Sequence, residues 1–319
     1  MPGGTVVLTG ANSTLGLAFI ANALQDFPTH HFILTVRNPS PIDPNTAKLH
    51  LLLSKFPSAK YTLHTLNLAS LAGVRTFSSF IASQVARGDL PPISAIVCNA
   101  FAWSISSGLQ FTRDGFELSF QVNHLAHFAL VLQLLDSMHK TQGRIVGLSS
   151  DSHEPGASAL AVYPPGIPDD IERLARPVPD KPGEEVGRGF QRYGVSKLCV
   201  VMFVYELNRR LQADSRAMSK DVPKAWGILM KYFLNPLQPL LKLAIPTLRN
   251  SNVAGKDLVE LSLREAFAAA RGTNGYYYKM SRPGKSSTKS YAETKWAKLW
   301  ERSVAWSGIQ PGDTALSVA

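Results

Sequence analysis

The first sixteen residues restrict the fold more than any other stretch of the chain. Thr5-Val6-Val7-Leu8 is an apolar, β-branched run that meets Thr9-Gly10-Ala11-Asn12-Ser13-Thr14-Leu15-Gly16. Ala18, Phe19, Ala21, Asn22, Ala23 and Leu24 then continue at helical spacing. This reads as strand, turn, helix. Glycines in such a turn let the backbone approach a pyrophosphate, and the N–H groups and dipole of the helix start favour its negative charge. An ordinary βα turn with two glycines reads the same in isolation, so the remaining chain has to decide.

The alternation that follows is regular. His31-Phe32-Ile33-Leu34-Thr35-Val36 is a second strand that ends at the turn Arg37-Asn38-Pro39-Ser40-Pro41. A helix is expected over 47–56 and a third strand over 61–66, followed by Asn67-Leu68. Leu71 to Val85 is an amphipathic helix, broken by Gly88-Asp89-Leu90-Pro91-Pro92 before a fourth strand, 93–98. Residues 112–140 read as one long helical segment, and Arg144-Ile145-Val146-Gly147-Leu148 as strand five, ending at Ser149-Ser150. Strands alternating with helices predict an α/β fold: a Rossmann-like, doubly wound parallel sheet with helices on both faces and a ligand at the carboxyl ends of the strands. An NAD site usually places Asp or Glu at the end of strand two, whereas Arg there accommodates a 2′-phosphate; Arg37 therefore predicts NADP(H) over NAD, with a solvated surface arginine as the alternative.

Tyr193 and Lys197 are four residues apart, one helical turn, so a phenol and an ammonium share a face. A phenol titrates near pH ~10 alone, and a cation within a few Å lowers that value, which makes the pair a proton-transfer device for a carbonyl or an alcohol. The same spacing arises by chance on many exposed helices.

Thr9 to Gly16, Cys98-Asn99-Ala100, Ser149-Ser150 and Tyr193 to Lys197, with Gln121-Val122-Asn123-His124 between the second and third, follow one another in the order found in the short-chain dehydrogenase/reductase family, which the sequence resembles over about its first two-thirds. The narrower resemblance is to the branch of retinol dehydrogenase-like, 3-ketosteroid reductase-like and fungal secondary-metabolite reductases. It implies Ser150, Tyr193 and Lys197 as catalytic residues, with Asn123 kinking its helix and holding a water in a relay to the lysine. It implies a dinucleotide bound along Gly10, Asn12, Ser13, Thr14, Leu15, Gly16, Arg37, Asn67, Leu68, Asn99, Ala100, Tyr193 and Lys197. The expected reaction interconverts a ketone and a secondary alcohol on a bulky lipophilic substrate, of polyketide or terpenoid type, with NADP. Relatives often pair through helices, so a homo-oligomer is consistent with the resemblance.

The sequence also departs from the family. Thr14 stands where the middle glycine belongs, Phe101 stands where Asn-Ala-Gly ends, and Asn67 replaces an aspartate. Each of the first two adds a side chain where close backbone approach is wanted. After the Tyr193 helix, expected to end near Leu211, the sixth parallel strand and its Pro-Gly turn are not evident in the run from Asn208 to Pro223. Three accounts arise: residues dropped from the gene model, a strand lost together with activity, or Trp226 to Leu234 in its place; the first two are preferred. The rival function is accordingly a degenerate member that binds a nucleotide or a partner without turnover.

The domain reading is one Rossmann-like domain over 1–281, with a Pro- and Gly-rich substrate loop over 151–190 and an apolar lid over 215–250. Within that domain a helix is expected from Ala254 to Arg271 and a final strand over 275–280. A C-terminal extension, 282–319, begins as a polar linker and carries a short helix, 292–304, with Trp296, Trp300 and Trp306 packed on the domain. At 319 residues and 45% hydrophobic, the chain can bury one substantial core. Cys98 and Cys199 lie in apolar runs and read as reduced, buried thiols of a cytoplasmic protein. No apolar stretch is expected to reach membrane-span length, and the start of the chain leaves no room for a signal peptide. The net charge of +10 is spread along the chain without a basic-aromatic block, so no nucleic acid is expected. The 226–248 segment could rest on a membrane surface. His124, His127 and His139 lack partners at ligand spacing, so no metal site is expected.

Overall fold

The computed structural model describes residues 3–105, 107–156, 161–213, 224–229, 250–264, 277–279 and 282–317. Among the described residues eight strands make one sheet: β1 (Thr5–Thr9), β2 (His31–Val36), β3 (Lys60–Thr65), β4 (Ile93–Cys98), β5 (Arg144–Ser149), β6 (Lys224–Leu229), β7 (Tyr277–Lys279) and β8 (Arg282–Gly284), in the order β3-β2-β1-β4-β5-β6-β7-β8. All neighbours are parallel except β7 and β8. The strand order reverses between β1 and β4, so the loops leaving those strands part and open a crevice at the carboxyl end of the sheet.

Central strands are buried on both faces, which is why β1 and β4 are nearly continuous apolar runs. Edge strand β3, Lys60-Tyr61-Thr62-Leu63-His64-Thr65, is mostly exposed and correspondingly polar. Alternation sorts the core into two layers: Val6 and Leu8 face one cluster with Phe19, Ile20, Phe32 and Leu258, and Val7 faces the other with Phe77, Leu130 and Phe203. The first layer is roofed by α1 (Thr14–Asp26), α2 (Pro44–Leu53) and, after several intervening elements, by the helix Ser251–Leu263. The second is roofed by α3 (Leu71–Ala86), by α4, the continuous helical run Leu118–Ser137, and by α5 (Glu185–Ala213). Ser251–Leu263 is α6, and α7 (Glu293–Ser307) packs outside α4 and α5. Gly255 brings α6 onto α1: a Cβ there would lie 2.6 Å from the Ala18 carbonyl carbon.

The sixth strand is present. Lys224–Leu229 lies between β5 and β7, with Arg144 opposite Lys224 and Ser149 opposite Leu229. Of the three accounts, replacement is therefore correct, and the preference for a gap or a loss is overturned. The strand's signal in the sequence is weak because it opens on a lysine, carries a glycine in its middle and begins eleven residues after the end of α5. The turn after it and most of the expected 215–250 lid lie outside the described residues.

Four smaller expectations are also corrected. Residues 112–140 are not one helix: Phe111 and Glu117 close a tight turn, and α4 begins at Leu118, where Glu117 caps it by accepting from Phe120 N–H at 2.7 Å. α4 itself is long and apolar enough to cross a membrane, contrary to the expectation that no stretch would be, but 89% of that window is buried inside the fold. The expected helix over 254–271 ends at Leu263, with 265–271 outside the described residues. Arg282–Gly284, expected as linker, pairs with β7.

The 151–190 segment is also not all loop, since α5 already starts at Glu185. Its described residues line a cavity of about 240 Å³ against α5, through Gly166, Pro168, Arg173, Leu174 and Pro177, and not the cavity that holds Tyr193. It is held there by ionic contacts: Arg192 forks onto Asp180 at 2.5 and 2.9 Å, Arg302 pairs with Glu172, and Lys289 and Lys295 donate to the carbonyls of Pro165 and Ile167 at 2.8 Å. The extension that carries three of those cations is seated by its tryptophans, with Trp300 5.0 Å from Phe128 and Trp306 5.4 Å from Phe120 between ring centroids.

Candidate active site

The crevice at the β1/β4 switch contains two adjoining cavities. One, of about 290 Å³, is lined by Gly10, Asn12, Ser13, Arg37, Asn67, Leu68 and Ala100, among others. The other, of about 300 Å³, is lined by Asn12, Ser13, Thr14, Leu15, Asn99, Leu148, Ser149, Ser150, Tyr193 and Lys197, together with Phe101 and Trp103. Asn12, Ser13, Asn45 and Phe101 belong to both walls, which makes a single groove running from Arg37 to Tyr193.

The glycine turn is built by close approach. Gly10 has φ +66°, and a Cβ there would meet the Ala100 Cα at 3.0 Å. At Gly16 a Cβ would lie 2.5 Å from the Gly10 carbonyl oxygen, so the helix can start directly beneath the turn. Gly16 lines neither cavity; its part is packing. Ser13 caps α1 by accepting from Gly16 N–H at 3.0 Å, and Thr14, in the position of the middle glycine, is exposed on the cavity wall at the first turn of the helix. Asn12 donates to Thr46 Oγ1 at 2.9 Å, and Thr46 in turn donates to the Asn38 carbonyl at 2.7 Å, tying the turn to the segment that presents Arg37. Asn67 is exposed at the end of β3 and accepts from Ala69 N–H.

Asn99 and Ala100 hold the turn from the β4 side. The Asn99 amide donates to the carbonyls of Thr9 and Gly10 at 2.8 and 3.0 Å and to Ser13 Oγ at 3.1 Å. Thr9 Oγ1 accepts from the backbone N–H groups of Asn99 and Ala100, both at 3.0 Å. Its own proton goes to His127. That ring donates through Nδ1 to the Asn123 carbonyl at 3.1 Å, and burial holds it down at about 4, so it is neutral and Nε2, 2.9 Å from Thr9 Oγ1, is the acceptor. His127 was not visible as a site-building residue in the sequence, and Thr9 was visible only as the start of the glycine-turn motif, because their meeting joins positions 118 residues apart.

Asn123 lies in a π-helical turn, Gln121–Leu125, near the start of α4. Its side chain accepts from Ala102 N–H at 2.7 Å and donates to the Ala102 carbonyl and to Ser196 Oγ, both at 2.9 Å. It thus braces the Phe101 loop and the helix carrying Lys197, touching the neighbour of the lysine.

Tyr193, Lys197 and Ser150 meet in the second cavity. Lys197 is buried and donates to the Leu148 carbonyl at 3.0 Å, while Ser149 Oγ donates to the Lys197 carbonyl at 2.9 Å. Burial brings the Lys197 ammonium down to about 7, opposed weakly by the Cys98 thiol, which burial pushes up to about 12. Ser150 Oγ accepts from Ser152 N–H at 3.2 Å, which leaves its hydroxyl hydrogen to be directed elsewhere. Phe101, Trp103 and Tyr193 form a cluster of inclined rings with centroids 5.5–6.2 Å apart. The Lys197 nitrogen lies 5.4 Å from the Phe101 centroid and 5.7 Å from that of Tyr193. Among the described residues no group of three or more side chains is arranged to hold a metal. His124 is spent on Ser303, with Nε2 2.9 Å from its Oγ.

Two family models match the chain: one described as short chain dehydrogenase, over residues 4–165, and one described as AcuH dehydrogenase domain, over residues 216–316. Short-chain dehydrogenase iccH of Talaromyces variabilis is 32% identical over an alignment 361 positions long, gaps included, that covers 98% of each protein. WW domain-containing oxidoreductase of Homo sapiens is 34% identical over 246 residues, 72% of this chain and 53% of that protein, so the chain spans about half of its length. Among solved structures, a short-chain dehydrogenase/reductase from Brucella melitensis aligns with TM-score 0.59 at 15% identity over 87% of this chain and 95% of that one. The landomycin C-6 ketoreductase LanV, solved with NADP and rabelomycin, aligns with TM-score 0.57 at 17% identity over 88% and 95%. The structural likenesses bear on the fold, a Rossmann-like sheet, and the sequence matches bear on descent: the chain belongs to the short-chain dehydrogenase/reductase family of oxidoreductases.

Proposed function

We propose that the protein is an NADP(H)-dependent oxidoreductase that interconverts a ketone and a secondary alcohol on a bulky lipophilic substrate of the kind handled in secondary-metabolite biosynthesis. The observation that carries this reading is the meeting of Tyr193, Lys197 and Ser150 on one cavity wall continuous with the glycine-turn groove. The residues fit a phosphorylated dinucleotide: Gly10 lining the groove at a φ of +66°, a helix start exposing Thr14, and an exposed Arg37 at the far end.

When bound, the reduced dinucleotide supplies a hydride to the carbonyl carbon. The chain's own residues do the rest. Tyr193 hands its hydroxyl proton to the carbonyl oxygen in reduction and takes it back in oxidation. Ser150 donates its hydroxyl hydrogen to the same oxygen and holds it in place. Lys197, when protonated, favours the phenolate left behind. Asn123 acts as a positioning residue, keeping α5 and the Phe101 loop in register through Ser196 and Ala102. Leu15, Leu148, Phe101 and Trp103 supply an apolar wall suited to a lipophilic substrate. Buried, unpaired Cys98 and Cys199 agree with a cytoplasmic setting.

The rival reading, nucleotide binding without turnover, rested on Thr14, Phe101 and a missing strand. β6 removes the third ground, and Phe101, projecting into the groove, is the observation still in its favour. Purified protein with NADPH and a panel of lipophilic ketones separates the two. The expected result is cofactor oxidation that falls about 10²–10⁴-fold in Tyr193→Phe. Folded protein whose melting temperature rises with NADPH but which oxidises none of it would establish the rival instead.

A further inference from the structure

Two large rings stand in solvent inside the catalytic cavity. Phe101 is 51% exposed and Trp103 42%, although the cavity they line also holds Tyr193. Apolar rings of this size are normally covered, and paired exposure within a concavity beside polar groups marks a ligand surface. Their mutual geometry is specific. The Phe101 and Trp103 planes are inclined by 84° with centroids 5.9 Å apart, and Trp103 meets Tyr193 at 65° and 5.5 Å. Rings this close leave no slot between them for a third ring, so a ligand lies against the corner they make. In such a corner a planar arene can stack on one ring while meeting the other edge-on, and both arrangements are favourable for π systems. A puckered, saturated ring system gains only its area of contact.

Resting on the reading of the site as a ketone reductase, we propose that Trp103 and Phe101 form an aromatic corner that selects planar, fused aryl ketones over saturated polycyclic ketones of the same size. The substrate class is thereby the aromatic one, and Trp103 is a specificity-determining residue. The placement accounts for the division of labour within the pair. Phe101 lines both cavities and borders the dinucleotide groove, whereas Trp103 lines only the cavity with Tyr193 and Ser150. Trp103 is therefore the residue to vary.

The test compares tetralone with decalone, its saturated counterpart, in the wild type, Trp103→Ala and Trp103→Phe. The wild type is expected to favour tetralone in kcat/KM by about tenfold, the size of two aromatic contacts. Trp103→Ala should bring the ratio close to one, Trp103→Phe should restore part of it, and the KM for NADPH should stay as in the wild type. An unchanged ratio, an equal loss on both ketones, or a raised KM for NADPH with both would overturn the proposal. Should neither ketone be turned over, fluorescence quenching reads the corner without chemistry: tetralone should quench the wild type by a component that Trp103→Phe lacks and that decalone does not produce. Identical quenching of the wild type and Trp103→Phe would overturn the aromatic corner independently of whether the protein is a reductase.

Discussion

Replacing Lys197 with Met tests the electrostatics of the site through the stability of the whole protein. The ordinary lysine value is 10.5, and burial brings Lys197 to about 7. The folded protein therefore holds this proton less tightly than the unfolded chain does. Between about pH 7 and about pH 10.5 the unfolded state binds more protons, so stability rises with pH across that window. At 1.36 kcal/mol per unit, the wild type should gain about 2.5 kcal/mol from this group between about pH 6.5 and about pH 9. Met fills the same space without a charge and removes that slope. It also removes the bond to the Leu148 carbonyl, a loss of about 1 kcal/mol that does not depend on pH. Urea unfolding of both proteins at a series of pH values isolates the effect as a difference, because every other titrating group is shared. The variant should be the more stable near pH 6.5, with the gap closing as pH rises. A difference that stays flat with pH would show that Lys197 is not the desolvated amine described above.

Two further expectations rest on other parts of the molecule. Gly255→Ala drives a methyl into backbone atoms of Ala18, which cannot give way as a flexible side chain could, and should cost about 3 kcal/mol in urea unfolding; an unchanged midpoint would refute the close α1–α6 contact. Arg37→Glu should raise the KM for NADPH by about tenfold or more while improving use of NADH, and an unchanged ratio of the two would remove Arg37 from the cofactor reading.

Much of the site was legible because its signals are short-range. The i, i+4 spacing of Tyr193 and Lys197 needs only a helix, and α5 supplies it. Gly10 and Gly16 announce a turn through a positive φ and a contact within the turn itself, both local matters, and Arg37 follows directly from where β2 ends. Thr14 looked like a defect, yet it stands exposed at the helix start, where a side chain has room. Asn99 and Asn123 were recognisable as positions. What their side chains do was not, because their partners, Ser13 and Thr9 for one and Ala102 and Ser196 for the other, lie 21 to 90 residues away. The 151–190 segment is harder to place from sequence for a similar reason: its Pro- and Gly-rich composition says loop, while the position of its described residues is decided by Arg192 and by cations of α7 and the turn before it.

By itself, then, the order of residues determined the layered architecture and the residue types at the crevice, since hydrophobic period, glycine turns and helical spacing act over a few residues. Tertiary structure alone decided that Lys224–Leu229 completes the sheet between β5 and β7. It also decided that His127 fixes the glycine turn through Thr9, and that Phe101 and Trp103 stand beside Tyr193 as a corner. These are relations between distant segments, and burial, close packing and hydrogen-bond satisfaction choose among such pairings only when the whole chain is folded at once.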